Sequence, residues 1–293
     1  MAPLIAADGK DPAYEVEMVR GTEREVRSVG KQPARIEQGV EIIHGAPTGS
    51  RRADFETRNY TLPAGERQLI RRNVSHILRV YATELGVKVP SDFAVDLRIF
   101  GSPKGYRREL GSDRPIAGFY RHATREAVVS AEGGPVQTRQ TSLHESSHAV
   151  LMRELPLAPA WINEGLAEYF ERIEDRDGFA AIPPHPERTD WLRVAVGGRR
   201  VMPLSELLAL DGARWAAQAD GPLYLAYTQA WSLVTFMMDS TETRAELRAV
   251  IADLRRSPQG SVAAFERHHP GGLAALQKEW LRWLGTPQQS HRY

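Results

Sequence analysis

The chain contains no cysteine. No disulfide can staple it and no thiolate can bind a metal, so any ion must be held by histidine, aspartate or glutamate. It also lacks an excess of either charge: 38 Lys and Arg stand against 37 Asp and Glu, a formal net charge of +1. The arginine pairs at 51–52, 71–72, 107–108, 199–200 and 255–256 are scattered. A nucleic-acid binder would gather them into a stripe, so no nucleic-acid partner is expected. No apolar run approaches the ~20 residues of a membrane span, so no transmembrane segment is expected. Internal repeats and low-complexity segments are missing too. The start, MAPLIAADGK, is too short for a complete signal peptide. It fits the tail of a removed export signal behind an added Met1. That reading expects a periplasmic or secreted protein; without it, the expectation is a cytoplasmic one.

What is present is an ordinary globular composition, with 42% hydrophobic residues over 293 positions. Residues 1–60 hold short alternating runs, YEVEMV, REVRSV and ARIEQGVEII, and read as a β-rich region with a hairpin around Gln38-Gly39. RRADFETRN reads as a polar connection. Residues 61–286 read as one further domain, with a first lobe at 61–180 and a helical lobe at 185–286. In the first lobe, Ile70, Val74, Ile77, Leu78, Tyr81 and Leu85 recur at helical spacing. His76 beside that stripe reads as a partly buried or surface histidine, not a ligand. FAVDLRIF reads as a strand and GFYRHATREAVVSA as a hairpin or a strand with a bent approach. Helices at about 139–154 and 160–174 follow, divided by the prolines of LPLAP. The run LYLAYTQAWSLVTFMMD is apolar nearly all round and predicts a buried helix. Strands early and helices late make the expected class α+β.

Residues 144–151 read HESSHAVL. In a helix, four residues advance about 400° and ~6 Å, so His144 and His148 point the same way one turn apart. That spacing lets two imidazoles bind one ion. Glu145, rotated by about 100°, reaches a water at that ion without being a ligand. The plainer reading is two helix-face histidines in ordinary hydrogen bonds. The next helix, WINEGLAEYFE, weighs against it. A catalytic zinc needs three protein ligands and a position open to water. An antiparallel return brings Glu164 to the same ion, with Glu168 one turn further on the same face. Metal-bound histidines donate their other N–H to a carboxylate or carbonyl, and Glu168 is the candidate partner, chiefly for His144.

HESSH followed by WINEGLAEYFE resembles the gluzincin metallopeptidases, the thermolysin-like superfamily. The NEGxAEY form is similar to the aminopeptidase N family at a distance, and closer to a bacterial group of uncharacterised predicted peptidases. The resemblance spans about residues 60–286. It implies a thermolysin-like core: a small antiparallel or mixed sheet packed on the HExxH helix, with a helical C-terminal lobe. It implies one Zn²⁺ per chain, held by His144, His148 and Glu164, with Glu168 supporting a zinc histidine. AYTQAWSLVTFM is similar to the tyrosine-bearing helix of aminopeptidase N relatives, which makes Tyr227 the donor to the oxyanion, with Tyr224 and His185 as substitutes. Two departures stand out. The stretch between His148 and Glu164 is shorter than in thermolysin or aminopeptidase N, and the G-x-M-E-N segment that recognises a free amino end is missing. The second departure favours an endopeptidase.

The expected function is therefore zinc-dependent hydrolysis of a peptide or protein substrate, with Glu145 as general base and Tyr227 holding the oxyanion. AVVSA at 127–131 is the strand whose edge would pair with an extended peptide. One alternative is a non-catalytic binding module with a peptidase-like fold, its metal absent or structural, a structural ion being closed off by a fourth protein ligand, His122 or His185. Another is a zinc hydrolase of a non-peptide amide.

Overall fold

The computed structural model of the chain describes residues 14–20, 23–29, 40–43, 53–111, 117–219 and 225–293. The hairpin expected around Gln38-Gly39 and the alternative tyrosine Tyr224 lie outside them.

A seven-stranded mixed sheet forms the first half. Its strands are β1 (Tyr14–Arg20), β2 (Glu23–Val29), β3 (Val40–Ile43), β4 (Ala53–Arg58), β5 (Val95–Phe100), β6 (Gly118–Arg121) and β7 (Glu126–Ser130), in the order β2-β1-β6-β7-β5-β4-β3. β5 runs parallel to both β4 and β7, while β6 returns antiparallel to β7. The segment read as a polar connection is thus a strand. In ADFETR, Ala53, Phe55 and Thr57 are buried and the residues between are not. This period-2 alternation hides in a sequence where only one residue of the inner face is large and apolar.

α1 (Ala64–Thr83) crosses from β4 to the parallel β5. The six apolar residues of its expected stripe are all buried against the sheet and α3 (Gly134–Glu154). α2 (Pro103–Leu110) covers the opposite face. Tyr106 and Leu110 pack there on Phe100, Phe119 and Val128, whereas Ala127 and Val129 of the same strand face the main core. Both faces of β7 are therefore covered, which is why it reads as a near-continuous apolar run.

β7 is also flanked on both sides, by β5 and β6. The expectation that AVVSA offers an edge to a peptide is overturned, because its backbone groups already serve two ladders. The outer edge of β6 carries β1, with Val16–Val19 opposite Arg121–Gly118.

α4 (Ala160–Phe170) starts after Pro159 and stops four residues short of its expected end. The chain turns instead into a small sheet of β8 (Glu174–Arg176), β9 (Phe179–Ile182) and the C-terminal β10 (His291–Arg292). Asp177 and Gly178 join β8 to β9 with φ of 51° and 89°. An Asp-Gly pair with both residues at positive φ is the signature of a tight hairpin turn, and this signal was present in the sequence. The remaining helices are α5 (Pro186–Gly197), α6 (Leu204–Leu207), α7 (Gly212–Ala219), α8 (Leu225–Asp239), α9 (Thr241–Leu254), α10 (Ser261–His268) and α11 (Gly272–Leu284). α8 is buried from Ala226 to Met238, as its composition predicts. Its polar groups are satisfied inside: Gln229 donates to and accepts from the Met202 backbone, and Ser232 accepts from the Trp280 indole. The class is mixed α+β, and no helix among the described residues is long and apolar enough to cross a membrane.

Candidate metal centre

α3 runs through the centre of the first half, buried continuously from Thr141 to Leu151. A polar helix survives there because its hydroxyls bond locally. Thr138, Ser142 and Ser146 each donate to a carbonyl four residues earlier, and Ser147 bonds the Tyr81 phenol at 2.7 Å. Burial pushes that phenol's pKa well above the ordinary range, so it keeps its proton.

α4 folds back against α3, and the ligand atoms of His144, His148 and Glu164 come within 4.8 Å of one another. All three are at most 1% exposed. Nε2 of His144 lies 3.8 Å from Oε2 of Glu164, and Nε2 of His148 lies 3.8 Å from its Oε1. These separations are too long for hydrogen bonds. They are close to the roughly 3.3 Å that separates two ligand atoms sharing a tetrahedral ion. The other nitrogen of His148, Nδ1, donates to Oδ1 of Asn163 at 3.0 Å, and the Asn163 amide donates to Glu164 Oε1 at 3.3 Å. A proton on Nδ1 leaves the lone pair on Nε2, where a metal needs it.

His144 is oriented in the same sense. Its Nδ1 faces Glu171 Oε2 at 3.6 Å, and His144, Glu168 and Glu171 form a second group within 4.8 Å. Glu168 thus stands beside His144, and Glu171, one turn from it around the helix end, stands there too. Glu168 accepts a 2.5 Å bond from Arg188 of α5. Two carboxylates within 4.8 Å of each other repel by at least about 3 kcal/mol at an effective dielectric of 20, so the guanidinium matters to this pair.

Glu145 is fully buried and its carboxylate turns toward β6. A Cβ at Gly118 would stand 3.0 Å from Glu145 Oε1 and 2.5 Å from the Thr141 methyl. Only a residue without a side chain lets the strand approach this closely. On the other face, the phenol of Tyr106 is buried and has no hydrogen-bond partner among the described residues. Burial and then the Glu145 charge hold its pKa well above the ordinary range.

Gly165 performs a similar task for the next layer. A Cβ there would meet Val234 at 2.7 Å and the Ala230 carbonyl at 2.8 Å, so α4 and α8 touch backbone to side chain. Tyr227 lies three residues before Ala230, hence on the α4-facing side of α8. It is buried, with its ring 4.8 Å from Trp215.

Neither His122 nor His185 belongs to a metal-holding group among the described residues. The His122 ring packs edge-on against Tyr120 at 5.3 Å. His185 precedes α5 and its ring lies 5.9 Å from Trp231. Burial, with Arg172 and Arg188 adding to it, lowers its pKa to about 4. His76 bonds Asp175 at 2.7 Å, a structural role.

Sequence reasoning did not find Glu171, Arg188, Gly118, or the part played by Asn163. The first ends a helix, the second lies on a different element, and the third opens a strand. Their importance comes from what they meet in space. The chain matches no family model, and no curated protein sequence matches it.

Proposed function

We propose that this chain is a zinc-dependent metallopeptidase of the gluzincin type, with His144, His148 and Glu164 as the ligands of one ion. The reading rests chiefly on one observation: two imidazoles present Nε2 to one buried carboxylate across gaps of 3.8 Å. The residues fit such an ion in charge as well as in spacing. Glu164, Glu168 and Glu171 crowd the two imidazoles, and a divalent cation offsets charge that burial would otherwise make costly. Two nitrogens and an oxygen, with no thiolate, suit zinc. When bound, zinc supplies a Lewis acid and brings the pKa of a water to about 7.

The chain's own groups then carry out the proton chemistry. Glu145 accepts the proton of the attacking water and delivers it to the leaving amine. Tyr227 donates its phenolic hydrogen to the oxyanion that develops at the scissile carbonyl. Asn163 and Glu168 keep the histidine rings in orientation. The sheet, α3 and α4 form the thermolysin-like core of this reading, and α5–α11 its helical lobe.

The test is elemental analysis of wild type beside Glu164→Ala and Glu145→Gln, followed by a peptide-library digest. The expected result is about one zinc in wild type and in Glu145→Gln, much less in Glu164→Ala, and cleavage by wild type alone. A wild-type chain that takes up no zinc on incubation refutes the metal centre. Unchanged turnover in Glu145→Gln refutes the general base.

A further inference from the structure

We propose that Arg188 is a positioning residue for the metal centre, acting through Glu168 on His144. This rests on the metal reading of the triad. Arg188 sits on α5, outside both helices that carry the ligands. Its Nη1 bonds Glu168 Oε2 at 2.5 Å, in a site where the two side chains are 16% and 8% exposed. Its Nε reaches the Thr228 hydroxyl at 3.4 Å, and its guanidinium lies 5.0 Å over the Trp231 ring. One planar group is therefore fixed on three sides by α4 and α8. A flexible ammonium could not copy this, because it has neither the fork nor the flat face.

The arrangement has a purpose on each side. Glu168 and Glu171 both approach His144, and like charges so close would spread apart. Arg188 neutralises one of the two and sets its direction. Glu168 is then held as an acceptor in the group it forms with His144 and Glu171, the latter facing the ring's Nδ1. A ring oriented from that side presents Nε2 to Glu164. On the other side, Thr228 follows Tyr227 directly. The same guanidinium thus ties the helix of the proposed oxyanion donor to the helix of the third ligand.

The experiment measures zinc affinity of the full chain by competition with a chromogenic chelator, with the thermal midpoint of the metal-free protein read in parallel. Removing outer partners of metal ligands weakens binding by about 10–100-fold. Arg188→Met should fall near the lower end of that range, and Arg188→Lys should recover only part of the loss. Glu168→Gln alone and Glu168→Gln with Arg188→Met should bind zinc equally, because Arg188 has nothing left to orient. A merely structural role predicts additive losses that track the metal-free midpoint, and that outcome overturns the proposal. So does wild-type affinity in Arg188→Met and Arg188→Lys while Glu168→Gln is weakened. If wild type itself binds no zinc, the metal reading fails first and the Arg188 assignment with it.

Discussion

Gly118 offers a sharp test of how Glu145 is placed. In Gly118→Ala, the new methyl stands 2.5 Å from the Thr141 methyl, 3.0 Å from Glu145 Oε1 and 3.1 Å from the Val128 carbonyl. The first contact is one that packed carbons do not make, and both partners belong to rigid, buried elements. Overpacking of this size costs about 1–3 kcal/mol. For a chain of this length that is a fall of roughly 2–10 °C in melting temperature, read by calorimetry. Thr141→Ser removes the clashing methyl and nothing else from that contact. The double variant Gly118→Ala, Thr141→Ser should therefore regain most of the stability. It should not regain the rate. The carboxylate must still retreat by a few tenths of an ångström, and a misplacement of ~1 Å costs about 100-fold, so a 3–10-fold loss in kcat with little change in KM is expected. Peptide hydrolysis and melting are measured on the same preparations. A double variant that recovers stability and full kcat together would show that Glu145 is not held against β6, and the placement argument would be lost.

Tyr227→Phe should keep its zinc and lower kcat by about 100–1000-fold, the cost of one oxyanion donor; wild-type kcat would return Tyr227 to a packing role beside Trp215. His185 has a pKa lowered to about 4 against an ordinary 6.5. Between those values the unfolded chain binds a proton that the native chain refuses, so stability falls as pH drops from 6.5 to 4. His185→Gln should flatten that part of the stability–pH curve by on the order of 1–3 kcal/mol, after allowing for partial exposure; an unchanged slope in urea titrations would refute the assignment. Any peptide that adds to β6 must take the place of β1, which pairs there from Val16 to Val19. Prolines at Glu17 and Met18 break ladder hydrogen bonds on both edges of β1 and should raise kcat/KM for long peptides; a fall or no change would mean that substrate does not use that edge.

The legible parts of the chain are those with a local period. The α1 stripe, the buried character of α8 and the strand FAVDLRIF each follow from spacing within one segment, and each is found where expected. ADFETR reads as a connection rather than a strand because Thr57 and Ala53 give a weak apolar signal. The turn at Asp177-Gly178 carries a strong local signal, in a stretch that no expected element covers. The edge expected at AVVSA is absent because strand composition does not reveal how many neighbours a strand has. That depends on sheet order, and β6 and β5 lie on either side.

The same division runs through the site. Sequence alone determined that His144 and His148 share a helix face, that Glu145 stands a third of a turn away, and that Glu164 and Glu168 share a face of the next helix. These are consequences of a period of 3.6 residues and need no partner. Only the tertiary structure decided the rest. It brought α4 back on α3 so that both Nε2 atoms face one carboxylate, set Asn163 against His148, placed Gly118 beneath Glu145, and carried Arg188 in from α5 to Glu168. Such pairings join residues far apart in the chain. They are selected by which surfaces bury together and which charges must then be answered, and no spacing along the sequence encodes that.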